Sequence, residues 1–206
     1  MQSVLFTLNA RLSKFNVQSI SDLTSHNDLK LKRMGKEKIA IFAVIPDDTP
    51  AYNFLVGILY TQLFQQLYRS ADLYPGKKLP VPVHFLMDEF ANVALPKGFD
   101  NLLSTMRQRQ IFCSIILQNL SQLKALYEKQ WESIVGNCDS FLYLGGNEQS
   151  TFEYVSKRLG TETLDTNTTG RSKGRNGSYT TNYQTTKREL MQPDEVGRLD
   201  NGYAIY

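Results

Sequence analysis

The sequence predicts an α/β fold, a mainly parallel sheet flanked by helices, on three observations. Near-continuous apolar runs of strand length recur at 38–45, 83–87, 111–117 and 140–144, and such runs suit parallel strands covered on both faces. Segments of helical character separate them, and strand–helix alternation builds βαβ units. Finally, 206 residues that are 41% hydrophobic and 21% charged match one ordinary domain able to bury a core.

In chain order, residues 1–37 are polar and helix-prone, with Leu5, Leu8, Leu12 and Phe15 at helical spacing. Ser21–Asn27 breaks that pattern and Leu29–Lys38 is basic, so this stretch reads as a short helix and a lead-in. Lys38–Ile45 is the first expected strand, closed by Pro46-Asp47-Asp48. Thr49 then caps a helix and Pro50 occupies its first position, where the missing N–H is harmless. That helix runs to about Ser70 with apolar residues on nearly every face, which suits burial or a subunit contact. Ala71–Pro82, with Gly76 and three prolines, is a loop. Strands Val83–Met87, Ile111–Leu117 and Ser140–Leu144 follow, alternating with helical segments Gly98–Arg109, Leu120–Gly136 and Glu148–Leu159. Asn147 caps the last of these and Gly160 stops it. Gly202–Tyr206 reads as a final strand.

Thr166–Arg188 departs from this order. It is rich in Thr, Ser, Gly and Asn, contains no acidic residue, and carries Arg171, Lys173, Arg175, Lys187 and Arg188 together with Tyr179 and Tyr183. That composition suits a hairpin touching a phosphate backbone; it equally suits a solvated loop with no partner.

The totals exclude little else. A net charge of +3 permits an anionic partner without demanding one. Cys113 and Cys138 lie in apolar settings and read as buried thiols of a reducing compartment rather than zinc ligands. Met1–Ala10 lacks the basic start and cleavage site of a signal peptide. The richest apolar run, Phe54–Tyr60, is about a third of the length that crosses a bilayer.

The strongest chemical signal is Val83-His-Phe-Leu-Met-Asp88-Glu89. An apolar strand ending in adjacent carboxylates delivers both to the C-terminal edge of the sheet, where open α/β folds bind ligands. Asp88 would hold Mg²⁺ and Glu89 would orient the attacking water; the alternative is an exposed turn with two acids. The next strand ends at Gln118-Asn119, a neutral amide where RecA-like motors sense a γ-phosphate. The intervening helix ends in Arg107-Gln-Arg109. An arginine there can stabilise transition-state charge across a subunit boundary, or simply complement the helix dipole.

Asp88-Glu-Phe-Ala-Asn92, Arg107-Gln-Arg-Gln-Ile and Ile116-Leu-Gln-Asn-Leu-Ser-Gln-Leu123 resemble the TraG-like coupling proteins of type IV secretion and conjugation. So do Asn137-Cys-Asp-Ser-Phe-Leu-Tyr-Leu-Gly145 and Leu190-Met-Gln-Pro-Asp-Glu-Val196. The resemblance implies a partial RecA-like P-loop NTPase core within a hexameric ATPase on the cytoplasmic face of the cell membrane. Its parent would use ATP and Mg²⁺ to deliver single-stranded DNA with its relaxase, or a protein substrate, to the secretion channel. Asp88 and Glu89 take the Walker B roles, Gln118 the sensor position, and Arg107 the arginine-finger position with Arg109 second. Residues 1–37 would return from the family's all-helical domain, and 38–206 form the C-terminal part of the nucleotide-binding domain.

One departure bears on activity. The family's G-x-x-x-x-G-K-[ST] phosphate loop is missing: Gly-Lys occurs only at Gly35-Lys36 and Gly76-Lys77, neither followed by Ser or Thr. The chain is therefore expected to be a fragment that does not turn over ATP alone. Alternatives are a non-catalytic adaptor half-domain that binds relaxosome or channel proteins, and an FtsK-like or HerA-like DNA pump. A nuclease built on Asp88 and Glu89 would need further ligands.

Overall fold

A computed structural model describes residues 6–7, 12–45, 52–92, 95–96, 98–171 and 179–206. The chain forms two compact units, one of residues 1–83 with 108–111 and the other of 84–107 with 112–206. Among the described residues no helix is long and apolar enough to cross a membrane.

In the first unit, helix α1 (Gln18–Ser25) buries Ile20, and Phe15 meets Phe54 edge-on at 5.5 Å. Helix α2 (Asn53–Asp72) buries Leu63, Phe64, Leu67, Ser70 and Ala71, the i, i+4 stripe of one helical face. Its first half is only partly covered, Ile58 is exposed, and Gln62, Gln65 and Arg69 are exposed in the second half, so the burial expected from composition is confined to one face of the second half. The expected start at Thr49-Pro50 lies outside the described residues. Gly35, at φ +75°, sits where a Cβ would come within 2.9 Å of the Leu79 side chain, and its carbonyl accepts from the Val81 N–H. This Gly-Lys pair is therefore a packed turn, not a phosphate cradle.

The expected strand at 38–45 is not formed. The run takes no regular secondary structure and pairs with no strand among the described residues, and Phe42 and Val44 are 89% and 93% exposed. An apolar run becomes a strand only when neighbouring backbone satisfies its N–H and C=O groups, and no described segment does so.

Strand β1 (Val83–Met87) alternates, with Val83, Phe85 and Met87 inward and His84 and Leu86 outward. It pairs with β2 (Ile111–Ile115). In the second unit the Ile116 N–H donates to the Met87 carbonyl and the Ile116 carbonyl accepts from the Phe90 N–H, the slanted pattern of a parallel pair. Helix α3 (Phe99–Met106) connects them and completes a βαβ unit. The expected burial of β1 on both faces is corrected: Leu86 is 71% exposed, because no described residue covers the face it shares with His84.

The predicted helix 120–136 is two helices, α4 (Leu120–Tyr127) and α5 (Trp131–Gly136). Glu128 leaves helical geometry between them, which lets Tyr127 stack on Phe90 while Trp131 meets Tyr154 edge-on. The predicted strands 140–144 and 202–206 shrink to one antiparallel bridge, Tyr143 to Ile205. Period-2 alternation survives there: Tyr143 is buried while Leu142 and Leu144 are exposed. Tyr143 packs with Val155 and Val196 in a small core. Helix α6 (Gln149–Leu159) is capped by the Glu148 carboxylate, which accepts from the Ser150 and Thr151 N–H groups, rather than by Asn147. Gly160, at φ +87°, ends it as expected.

Strands β3 (Thr161–Arg171) and β4 (Tyr179–Glu189) form an antiparallel ribbon of eleven register pairs. The strand pairing expected of a hairpin at 166–188 is present in the described residues, the connection at 172–178 lying outside them, and the strands begin earlier than the composition suggested. Helix α7 (Pro193–Gly197) carries a reciprocal capping box between Gln192 and Glu195. The buried Ser156 hydroxyl shares its proton between the Glu189 carboxylate and the Met191 carbonyl, which ties the foot of the ribbon to α6.

Candidate functional site

The C-terminal ends of β1 and β2 carry the expected acids and amide to one edge of the parallel pair. Asp88 and Glu89 form an exposed turn directly after β1. The turn is anchored by Phe90, which is fully buried against Phe99 and Tyr127, and by its N–H bond to Ile116. Glu89 adopts φ +48°, a left-handed conformation that costs a non-glycine residue energy and recurs at functional turns. Two contacts hold it there. Its own N–H donates to Asp88 Oδ1 at 3.0 Å, and Asn92 Nδ2 donates to Glu89 Oε2 at 2.9 Å.

The role of Asn92 was not read from the sequence, where it figured only within a motif. The available signal was an amide three residues beyond an acid in a tight turn. Gln118 lies just beyond β2, exposed, and accepts from Gln122 Nε2 at 3.5 Å. Asn119 turns the chain into α4 by accepting from the Gln122 N–H at 3.0 Å. Asp88, Glu89 and Gln118 therefore share one edge.

The arginines lie elsewhere. Arg107 follows α3 and precedes β2, so it sits at the opposite edge of the pair from Glu89. Its guanidinium reaches Asp139 at 3.2 Å, and both side chains are about three-quarters exposed at 77% and 75%. Arg109 is packed: its guanidinium lies 4.4 Å from the centre of the Tyr68 ring and 3.9 Å from Asp72, and its side chain is only 17% exposed. An arginine committed to a ring and a carboxylate in its own unit is poorly placed to reach outward.

Two exposed carboxylates with oxygen donors suit Mg²⁺, which typically takes one or two carboxylates and keeps waters or phosphate oxygens in its remaining positions. Asp88 and Glu89 fit that half of the requirement. The phosphate half is not met, since Gly35-Lys36 is a packed turn and Gly76-Lys77 lies in a short 3₁₀ turn with Gly76 at φ +68°. Among the described residues no three of His, Cys, Asp and Glu gather as a metal cluster.

On the ribbon, Arg188 bonds Glu195 and lies 3.8 Å from Glu162, a clamp at its foot. The Glu195 carboxyl is held below the usual carboxylate range, first by the Gln192 N–H and then by Arg188. Tyr183 is 80% exposed and Lys187 is exposed. Arg171 and Tyr179 form the last register pair; Lys173 and Arg175 lie outside the described residues.

The surroundings of both cysteines disfavour the thiolate. Burial, then the proximity of Cys138, pushes the Cys113 thiol up to about 12, and burial also raises Cys138.

A family model described as type IV secretory system conjugative DNA transfer matches residues 1–206. Among curated relatives, Protein VirD4 of Agrobacterium fabrum is 24% identical over 184 residues, which is 88% of this chain and 27% of that protein. Conjugal transfer protein TraG of Escherichia coli is 25% identical over 209 residues, 96% of this chain and 33% of that protein. Among solved structures, the unbound conjugative coupling protein TrwBdeltaN70 superposes with a TM-score of 0.56 at 18% identity, over 74% of this chain and 35% of that one. TrwB in complex with ADP and Mg²⁺ gives a TM-score of 0.53 at 19% identity, over 74% and 34%. The chain therefore spans about a third or less of the relatives it matches. The α/β class expected from the sequence is therefore present, and the chain shares the fold of part of the solved coupling protein.

Proposed function

Because the chain belongs to the type IV secretory system conjugative DNA transfer family, we propose that it is the C-terminal part of the nucleotide-binding domain of a coupling ATPase. Residues 1–37 are then the return from an all-helical domain. The parent hydrolyses ATP to deliver single-stranded DNA with its relaxase, or protein substrates, to the secretion channel. It works as a hexamer on the cytoplasmic face of the cell membrane.

The observation that carries this reading is the shared edge of Asp88, Glu89 and Gln118, with Glu89 held in a left-handed turn by Asn92. Bound Mg²⁺ and ATP would supply the phosphoanhydride and the charge neutralisation at the γ-phosphate. Asp88 is the residue to hold the cation. Glu89 orients and polarises a water, with Asn92 positioning its carboxylate. Gln118, just beyond the neighbouring strand, reports the state of the phosphate to α4. Arg107, exposed at the far edge, is the residue to act on the site of an adjacent subunit, a reading its separation from Glu89 within one chain supports. The packing of Arg109 supports Arg107 as the finger.

Absence of the phosphate loop from the sequence supports inactivity of the chain alone. The second reading is an adaptor half-domain that binds relaxosome or channel proteins without hydrolysis.

The test is ATP turnover with Mg²⁺ by this chain alone and by the chain joined to the N-terminal half of a coupling protein. The expected result is turnover only in the joined form, reduced at least about a hundredfold by Glu89→Gln. No turnover by a joined protein shown to be folded and hexameric would establish the adaptor instead.

A further inference from the structure

The ribbon has two chemically different faces, and its register separates them. Residues paired across an antiparallel ribbon share a face, and faces alternate along each strand. One face carries Leu164 with Thr186, Thr166 with Gln184, and Thr168 with Asn182; at the foot it carries Glu162 with Arg188. The other carries Thr163 with Lys187, Asp165 with Thr185, Asn167 with Tyr183, and Thr169 with Thr181. The large exposed aromatic therefore belongs to the second face, where Tyr183 is 80% exposed. On that face Asp165 is the last acid towards the tip, and its carboxylate already accepts from the Thr185 hydroxyl at 2.7 Å.

A two-stranded ribbon exposed on both faces is marginal by itself, and eleven pairs at roughly 3.4 Å per residue extend it to about 35 Å. Both faces are too polar for an apolar interface. Residues 166–188 contain five cations and no carboxylate, which complements a polyanion. An exposed ring flanked by amide and hydroxyl groups suits unpaired bases, because stacking accepts any base.

We propose that single-stranded nucleic acid lies along the tip half of the Tyr183 face of this ribbon, with a base stacked on Tyr183 beside Asn167. This rests on the reading that the parent protein handles single-stranded DNA, and it names the surface that does so. Arg188 is excluded from that surface by its clamp to Glu195 and Glu162. Lys187, on the foot side of Asp165, contributes field rather than a stacking contact.

The test measures binding of labelled oligodeoxythymidine to the 206-residue chain by fluorescence anisotropy. Tyr183→Ala is expected to weaken binding about tenfold, while Tyr183→Phe, which keeps the ring, retains most of the affinity. Asn182→Ala and Gln184→Ala, on the opposite face, are expected to stay within about twofold. Equal losses from both faces, no loss in Tyr183→Ala, equal affinity for duplex, or no binding by the unaltered chain would each overturn the assignment. So would pairing of ribbon edges between two copies, seen as a dimer by sedimentation, in place of nucleic-acid binding. The ATP-turnover test reads separately: an intact ribbon result with no turnover sinks the motor reading and not this one, and the reverse result sinks this one alone.

Discussion

Glu89 and the two arginines show how single residues divide between chemistry and packing. A glutamate at φ +48° is maintained against its own preference by Phe90 below it and Asn92 beside it. Asn92→Ala is therefore expected to lower kcat of the joined protein about ten- to a hundredfold while leaving the ATP KM unchanged, because it misplaces the carboxylate without touching nucleotide. Steady-state kinetics separate that outcome from a binding defect. Asn92→Asp, which places two carboxylates together, is not expected to rescue. The arginines should part in the opposite way. Arg109→Ala removes a cation from the Tyr68 ring and is expected to cost about 1–2 kcal/mol in denaturant unfolding. Arg107→Ala breaks only an exposed pair, worth at most about 1 kcal/mol, and its effect should appear in turnover. Both arginines were legible as candidates from their place after a helix. Which one is free to act was not, because that depends on Tyr68 and Asp72, which are distant in sequence.

At the scale of elements, the caps and turns tell more than the periodicity. Helix α6 begins at a carboxylate cap: Glu148 accepts two N–H bonds, and these, led by its contacts with Ser150 and Thr151, hold its carboxyl below the usual range. Glu148→Ala is expected to lower stability by about 1 kcal/mol. The sign with pH follows from the lowered value. The contribution is full above the unfolded carboxyl value and is lost as pH falls through the lower folded value, so the two forms should converge in stability in strong acid. The cysteines act in the opposite direction. With Cys113 pushed up to about 12, an unfolded thiol near the ordinary value of about 8.5 ionises first, so the fold loses stability as pH rises from there. Thiol labelling at neutral pH should accordingly be slow in the folded chain and rapid in denaturant. Gly160 was readable because it acts on its own backbone; the helix opened by Pro193 was not expected. The break at Glu128 was not readable, since it arises from two aromatic contacts on different partners.

For the whole molecule, the exposed run at Phe42 and Val44 is the feature most open to solution measurement. Replacing both with lysine is expected to reduce self-association at high concentration without lowering the unfolding midpoint, since neither side chain is buried; size-exclusion profiles and denaturant melts check the two halves. Exposed apolar backbone segments recruit others, and Phe42 and Val44 lie open at 89% and 93% exposure. By itself the sequence determined the α/β class, the βαβ unit from 83 to 115, the acids at the end of its first strand, the amide after its second, and the hairpin. Each of these depends on local periodicity or on a residue acting within its own turn. Only the tertiary structure decided that 38–45 pairs with nothing described, and that 140–144 is a single bridge. It also decided that Arg109 is packed, that Asn92 holds Glu89, and that Tyr183 and Arg188 face opposite ways. The physical reason is common to all of these: strand pairing, burial and side-chain contact are satisfied by partners far along the chain, and apolar composition states a need for cover without naming what supplies it.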